Sequence, residues 1–210
     1  KTATSLPANP DIKHGLNLND DFTETCLGMQ CTFWKEYAPG QLSFKNNTLR
    51  MNAKGSSPAD GRLLLITPED KCYETQVDVQ VGKGNKAGLV LFYNEKAFAG
   101  VVSDGKNFTI YRNAEQTETI PNKIGRNFKV KLMNQGNKVK MMVSKDGNAW
   151  TVLVEDVDVS DMHHNNYKGF FALRVGLLSC GKGDAGFSQF RYRNAVPQEI
   201  WDAMRAIEPS

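Results

Sequence analysis

The run DDFTETCLGMQCTFW, which opens at Asp20, sets two carboxylates beside two cysteines. Paired acids can work as general acid and base, cage calcium or cap a helix. A C-x4-C pair can clip a metal, cycle as a redox couple or close a disulfide. Zinc clips use closer cysteines with further Cys or His nearby, and His14, His163 and His164 hold no such spacing to a cysteine. No C-x-x-C occurs. Cys26, Cys31, Cys72 and Cys180 form an even set. Cys26–Cys31 is the most local pairing and leaves Cys72–Cys180; four buried thiols are the alternative. Paired cysteines belong to oxidising compartments, so the chain is expected to be secreted or periplasmic.

Other acids offer less. A glycosidase holds two carboxylates about 5–5.5 Å apart for retention, or about 6.5–9.5 Å for inversion. Sandwich-fold glucanases present them as E-x-D-x-x-E on one strand, and that motif is missing. Glu155, Asp156, Asp158 and Asp161 crowd "EDVDVSD" near a turn and read as solvated loop acids. Glu74 and Asp78 share a strand face without a further partner. There is no G-x-S-x-G, and His163-His164 sits in a loop with no Ser or Cys singled out beside it. "VGKGNKAG" is glycine-rich but lacks the phosphate-loop spacing. "SKDGNAW" is close to an Asp-box, a structural turn in which Asp146 accepts backbone hydrogen bonds and Trp150 covers the hairpin. Sugar faces stack on exposed rings, for which Trp34, Tyr37, Tyr93, Tyr111 and Tyr167 are candidates. Trp150 and Trp201 read as packing residues.

These residues need elements to place them, and the pattern from residue 40 to 193 is strand, turn, strand. "YETQVDVQV" alternates Tyr73, Thr75, Val77, Val79 and Val81 against polar neighbours, as in a sheet covered on one side. "AGLVLFY" is apolar on both faces and predicts a central strand. Asp104-Gly105, Asn134–Asn137 and Asp146–Asn148 predict hairpins. "FFALRVGLLS" and "AGFSQFRYR" add strands at 170–179 and 185–193. Many short strands with no helical period between them predict an all-β, two-sheet antiparallel sandwich of jelly-roll type. Residues 1–17 read as a linker, 18–194 as the sandwich, and 195–210 as a short amphipathic helix with Ile200, Met204 and Ile207 on one face.

With 210 residues, 40% of them hydrophobic, the chain suits one domain with a real core. A net charge of +3 without a basic block gives nucleic acid no footprint. No apolar run is long enough to span a membrane.

In order along the chain, the segments resemble the concanavalin-like C-terminal sandwich of family 43 glycoside hydrolases, the β-xylosidases and α-arabinofuranosidases. The resemblance is carried by Asp21-Phe22, Leu27-Gly28-Met29-Gln30, Leu42-Ser43-Phe44 and Leu49-Arg50-Met51, then by "GRLLLITPED", "AGLVLFY" and "GFFALRVGLLSCGKGDAGFSQFRYRN". It covers roughly residues 18–194. Cys31 stands where the family carries tryptophan, with Trp34 three residues on. The resemblance implies a sugar-facing arginine at Arg62. It also implies a calcium site between the N-terminal acids and the closing strand. Gly186 and Ser188 replace two acids there, leaving Asp20, Asp21 and Asp184.

The resemblance further implies a non-catalytic accessory module. Catalysis in that family belongs to a five-bladed β-propeller preceding the sandwich, and one loop of the sandwich can lend an aromatic to the substrate pocket. By order along the chain that loop falls near Asp161–Tyr167. The expected ligand is a plant polysaccharide or oligosaccharide, xylan or arabinan. The alternatives are a free-standing secreted lectin-like protein and a sandwich that is itself a hydrolase or lyase.

Overall fold

The computed structural model describes residues 17–23, 27, 28, 30–35 and 40–195. The expected linker over 1–17, apart from Asn17, lies outside them, as do Cys26, Tyr37 and the helix expected over 195–210, apart from Ala195. Among the described residues the strands build two seven-stranded antiparallel sheets. The first runs β1 (Cys31–Phe33), β4 (Arg62–Ile66), β13 (Arg174–Gly181), β6 (Asn85–Asn94), β7 (Ala97–Ser103), β8 (Asn107–Arg112) and β9 (Glu115–Pro121). The second runs β12 (Thr151–Asp158), β11 (Lys138–Ser144), β10 (Asn127–Gln135), β5 (Cys72–Val81), β14 (Asp184–Asn194), β3 (Leu49–Asn52) and β2 (Leu42–Phe44). A single turn, α1 (His164–Tyr167), interrupts the strands.

The alternation read from β5 sends Tyr73, Thr75, Val77, Val79 and Val81 into the space between the sheets. There they meet Phe128, Val130 and Leu132 of β10, Phe187 and Phe190 of β14, and Leu89 and Leu91 of β6. Full burial of such a side chain contributes about 1.5–3 kcal/mol, so this layer carries the fold. β6 is central, between β13 and β7, and is apolar on both faces as expected. Its outer face belongs to a second cluster with Leu63, Val90, Phe92, Phe98, Leu178 and Cys180, all closed to solvent. Gly100 and Gly176 make room for Val90; a Cβ at Gly100 would stand 2.5 Å from the Leu89 carbonyl oxygen.

The expected hairpins form. Asp104 Oδ1 accepts the backbone N–H groups of Lys106 and Asn107, both at 2.8 Å. In the Asp-box, Asp146 Oδ1 accepts Asn148 N–H at 2.8 Å and Trp150 Nε1 donates to the Gly147 carbonyl at 3.0 Å. Two departures matter. The strand expected from residue 170 begins only at Arg174. β14 carries a bulge between Ser188 and Arg191.

The cysteines require a correction. Cys31, Cys72 and Cys180 are free thiols. Cys72 opens β5, whereas Cys180 pairs with Lys86 at the start of β6, beside the far end of β5. A strand of ten residues separates those ends by about 30 Å, and a disulfide needs Cα atoms within about 7 Å. Burial, helped by the Asp20 charge, pushes the Cys31 thiol up to about 12. Burial also pushes Cys180 up to about 11.

Candidate functional site

Beyond β12 the chain folds back over one end of the first sheet, and short-range contacts fix its path. Asp161 takes the Arg112 guanidinium on both oxygens, at 2.9 and 3.3 Å, and accepts Asn113 Nδ2 at 2.8 Å. His163 Nδ1 accepts Asn165 N–H, which starts α1. Lys168 and Gly169 then both adopt positive φ, at 57° and 74°, and reverse the chain. The Tyr93 hydroxyl holds this turn from below by donating to the carbonyls of Lys168 (3.1 Å) and Gly169 (2.7 Å).

The consequence is an exposed aromatic pair. Phe170 is 94% exposed and Phe171 45%. Phe170 stacks on His164 with centroids 5.4 Å apart. Phe171 meets Trp34 and Tyr93 edge-on at 5.2 and 5.8 Å. The Arg174 guanidinium lies 5.3 Å from the Trp34 ring and 5.4 Å from Phe171. Its Nη2 donates to the Tyr93 carbonyl at 3.4 Å; among the described residues it has no carboxylate partner, and burial lowers its pKa without discharging it. The buried Nε of Arg174 and Nε1 of Trp34 find no acceptor. Exposed rings and a half-buried guanidinium thus share one patch at this end of the sheet.

Of the residues nominated as sugar contacts, Trp34 belongs to this patch, and Tyr167 lies in the supporting turn, half-buried against the core. Tyr37 lies outside the described residues, and Tyr93, Tyr111 and Arg62 are occupied elsewhere. Tyr93 points between the sheets and is 1% exposed, so its ring cannot stack on a pyranose. Tyr111 is buried in the outer cluster against Phe98. Arg62 donates Nε to the Asn52 carbonyl at 2.9 Å and also bonds Gln41, tying β4 to the end of β3. Residue type alone does not single out Phe170, Phe171 and Arg174. Their signal was the doubled "FF" ahead of β13, which breaks strand alternation.

The acids nominated for calcium are not brought together. Asp20 bridges Phe190 and accepts Phe22 N–H at 2.7 Å. Asp21 pairs with Arg191 at 2.5 Å and Asp184 with Arg50 at 3.4 Å. Asp184 and Phe190 are six residues apart on β14, roughly 20 Å, so no single ion reaches all three. Among the described residues no group of three or more His, Cys, Asp or Glu could hold a metal.

Glu74 and Asp78 also fail as an acid–base pair. Glu74 is salt-bridged by Lys131 and Arg193, each at 2.9 Å, and Asp78 by Lys129 at 2.6 Å. Burial alone would raise the Glu74 pKa, but hydrogen bonds from Arg193 and Lys131 outweigh it and hold the carboxyl below its ordinary value. A general acid at neutral pH needs the opposite shift.

Several solved structures share the fold. The GH43 protein BlXynB of Bacillus licheniformis superposes with a TM-score of 0.75 at 18% identity, over 84% of this chain and 39% of that one. The xylan β-1,4-xylosidase of Bacillus halodurans gives 0.71 at 20% identity, over 92% and 42%. A functionally unknown protein of Saccharomyces cerevisiae gives 0.57 at 13% identity, over 80% of this chain and 98% of that one. The chain thus spans about two fifths of the two bacterial proteins. No curated protein matches it. Residues 19–193 match the β-xylosidase C-terminal concanavalin A-like domain, and the chain belongs to that family.

Proposed function

We propose that this chain is a non-catalytic accessory sandwich of a family 43 glycoside hydrolase. It seats against the catalytic domain through the Phe170–Arg174 surface and supports hydrolysis of xylan or arabinan. One observation carries the reading: Phe170 and Phe171 stand exposed beside Trp34 and the Arg174 guanidinium, which has no carboxylate partner among the described residues. Aromatic and arginine anchors dominate interface energies. The loop stands directly after the Asp161–Tyr167 segment, where the family's pocket-lending loop was expected. The tied carboxylates of Glu74 and Asp78 support the non-catalytic half of the reading.

A second reading, a free-standing glycan-binding protein, is favoured by the yeast likeness, in which such a sandwich accounts for nearly the whole chain. Export from the cell loses its support from paired cysteines and rests on the polymeric substrate alone. Turnover of aryl β-xylosides and α-arabinofuranosides by the chain alone is the test. The expected rate is that of the uncatalysed reaction. Turnover that disappears in Glu74→Gln would overturn the assignment.

A further inference from the structure

β14 carries one residue more than β5 beside it. Ser188 faces Asp78 and Arg191 faces Gln76, so three steps on one strand oppose two on the other. The intervening Gln189 sits at φ 52°, a left-handed conformation that side chains disfavour. Strict alternation from Phe187 would turn Phe190 outward and drive Arg191 and Arg193 into the core. With the bulge, Phe190 is buried and both arginines join Glu74 and Gln76 on the outer face of the second sheet. Bulges commonly re-aim side chains in this way beside binding sites.

These four residues, with Asn19 and Tyr192, line a cavity of about 350 Å³. That lies within the ~300–1,000 Å³ typical of small-ligand sites. Glu74, 7% exposed, is braced by Lys131 and Arg193 and thereby fixes the Arg193 guanidinium. Lys131 is itself seated 4.3 Å over the Trp150 ring. Donors remain unused. Among the described residues the Gln76 carboxamide has no partner, Asn19 spends only its side-chain Oδ1 on Tyr192 N–H, and Arg193 spends only Nη2 on Glu74. Lys131, Arg191 and Arg193 against Glu74 and Asp21 leave the cleft with one net positive charge.

We propose that this cleft binds a uronic acid unit of a polysaccharide, its carboxylate on Arg193 and its hydroxyls on Gln76 and Asn19. The carboxylate is argued from the cleft, while the saccharide rests on the proposed function. The cleft opens on the second sheet and the Phe170 surface on the first, so both can be occupied at once.

The test is titration of the whole chain, followed by calorimetry and amide NMR shifts. Its arms are a trigalacturonate, a glucuronate-bearing xylo-oligosaccharide, a neutral xylo-oligosaccharide, and acetate or inorganic phosphate. An acidic saccharide is expected to bind, more tightly at low salt, with shifts clustered on β5 and β14. Arg193→Gln and Gln76→Ala should each weaken it about tenfold, as loss of a charge-assisted or exposed hydrogen bond implies. Gln76 has no partner to lose among the described residues, so its variant separates binding from folding. Equal affinity for the neutral oligosaccharide, equal affinity for acetate or phosphate, unaltered binding in both variants, or no binding of either acidic saccharide would overturn the proposal. None of these outcomes bears on aryl-xyloside turnover, which tests the accessory role separately.

Discussion

Glu74→Gln is the sharpest probe of how the polar sheet face is held. The carboxylate is nearly buried, its partner Lys131 has a side chain only 14% exposed, and its second partner Arg193 is largely in water. Removing one member of a buried pair costs about 3–5 kcal/mol, because the remaining charge is stranded. Here Lys131 keeps the Trp150 ring, which offsets about 1 kcal/mol. Arg193 relaxes into solvent. The variant should therefore lose about 2–3 kcal/mol at neutral pH, or roughly 5–10 °C in Tm for a chain of this size.

The pH dependence carries the discriminating sign. Folding depresses the Glu74 pKa below its ordinary 4.5. The ionised pair therefore contributes fully above that value, and its contribution fades as pH falls through the folded-state pKa. Thermal melts of both proteins from neutral pH down to about 3 should show the gap closing in acid. Equal stability at neutral pH, or a gap that persists unchanged into acid, would refute the reasoning.

Further outcomes can be checked alongside. Phe170→Asp should leave the chain's own stability within about 0.5 kcal/mol, since the ring is in water, while lowering kcat/KM for aryl xylosides when the chain is paired with the proposed catalytic domain. Loss of stability in the isolated chain would contradict the exposed placement. Reductant should leave Tm unchanged, because Cys31, Cys72 and Cys180 are free; a drop of several degrees would show a disulfide. Thiol reagents at about pH 8 should modify Cys31 and Cys180 slowly, since thiols held near 12 and 11 are about one-thousandth ionised or less. Fast labelling of either in the native state would contradict their burial. Gly100→Ala should cost at least about 1–3 kcal/mol by denaturant melt, as its Cβ meets the Leu89 carbonyl oxygen; a neutral result would contradict the packing of β6 on β7.

The sandwich was legible because its strands obey period two. The alternation from Tyr73 to Val81 and the unbroken apolar run of β6 name their own positions, one half-covered and one central. The site was less legible. Tyr93 and Tyr111 look like sugar platforms by type, but only the third dimension shows one inside the core and the other under a second apolar layer. The Cys72–Cys180 pairing was a matter of elimination, and strand length rules it out. The bulge at Gln189 lies hidden in "SQFRYR", because an inserted residue shifts the faces without changing composition. The sequence around Phe170 reads as the start of a strand, whereas the turn at Lys168-Gly169 lifts the ring into solvent.

The central claim is that the Phe170 surface docks a catalytic domain. The most direct measurement is the affinity of this chain for the proposed family 43 catalytic partner, wild type against Phe170→Asp. The account predicts a complex that the substitution weakens at least about tenfold, as loss of an aromatic anchor implies. A complex indifferent to Phe170→Asp, or no complex at all, would contradict it.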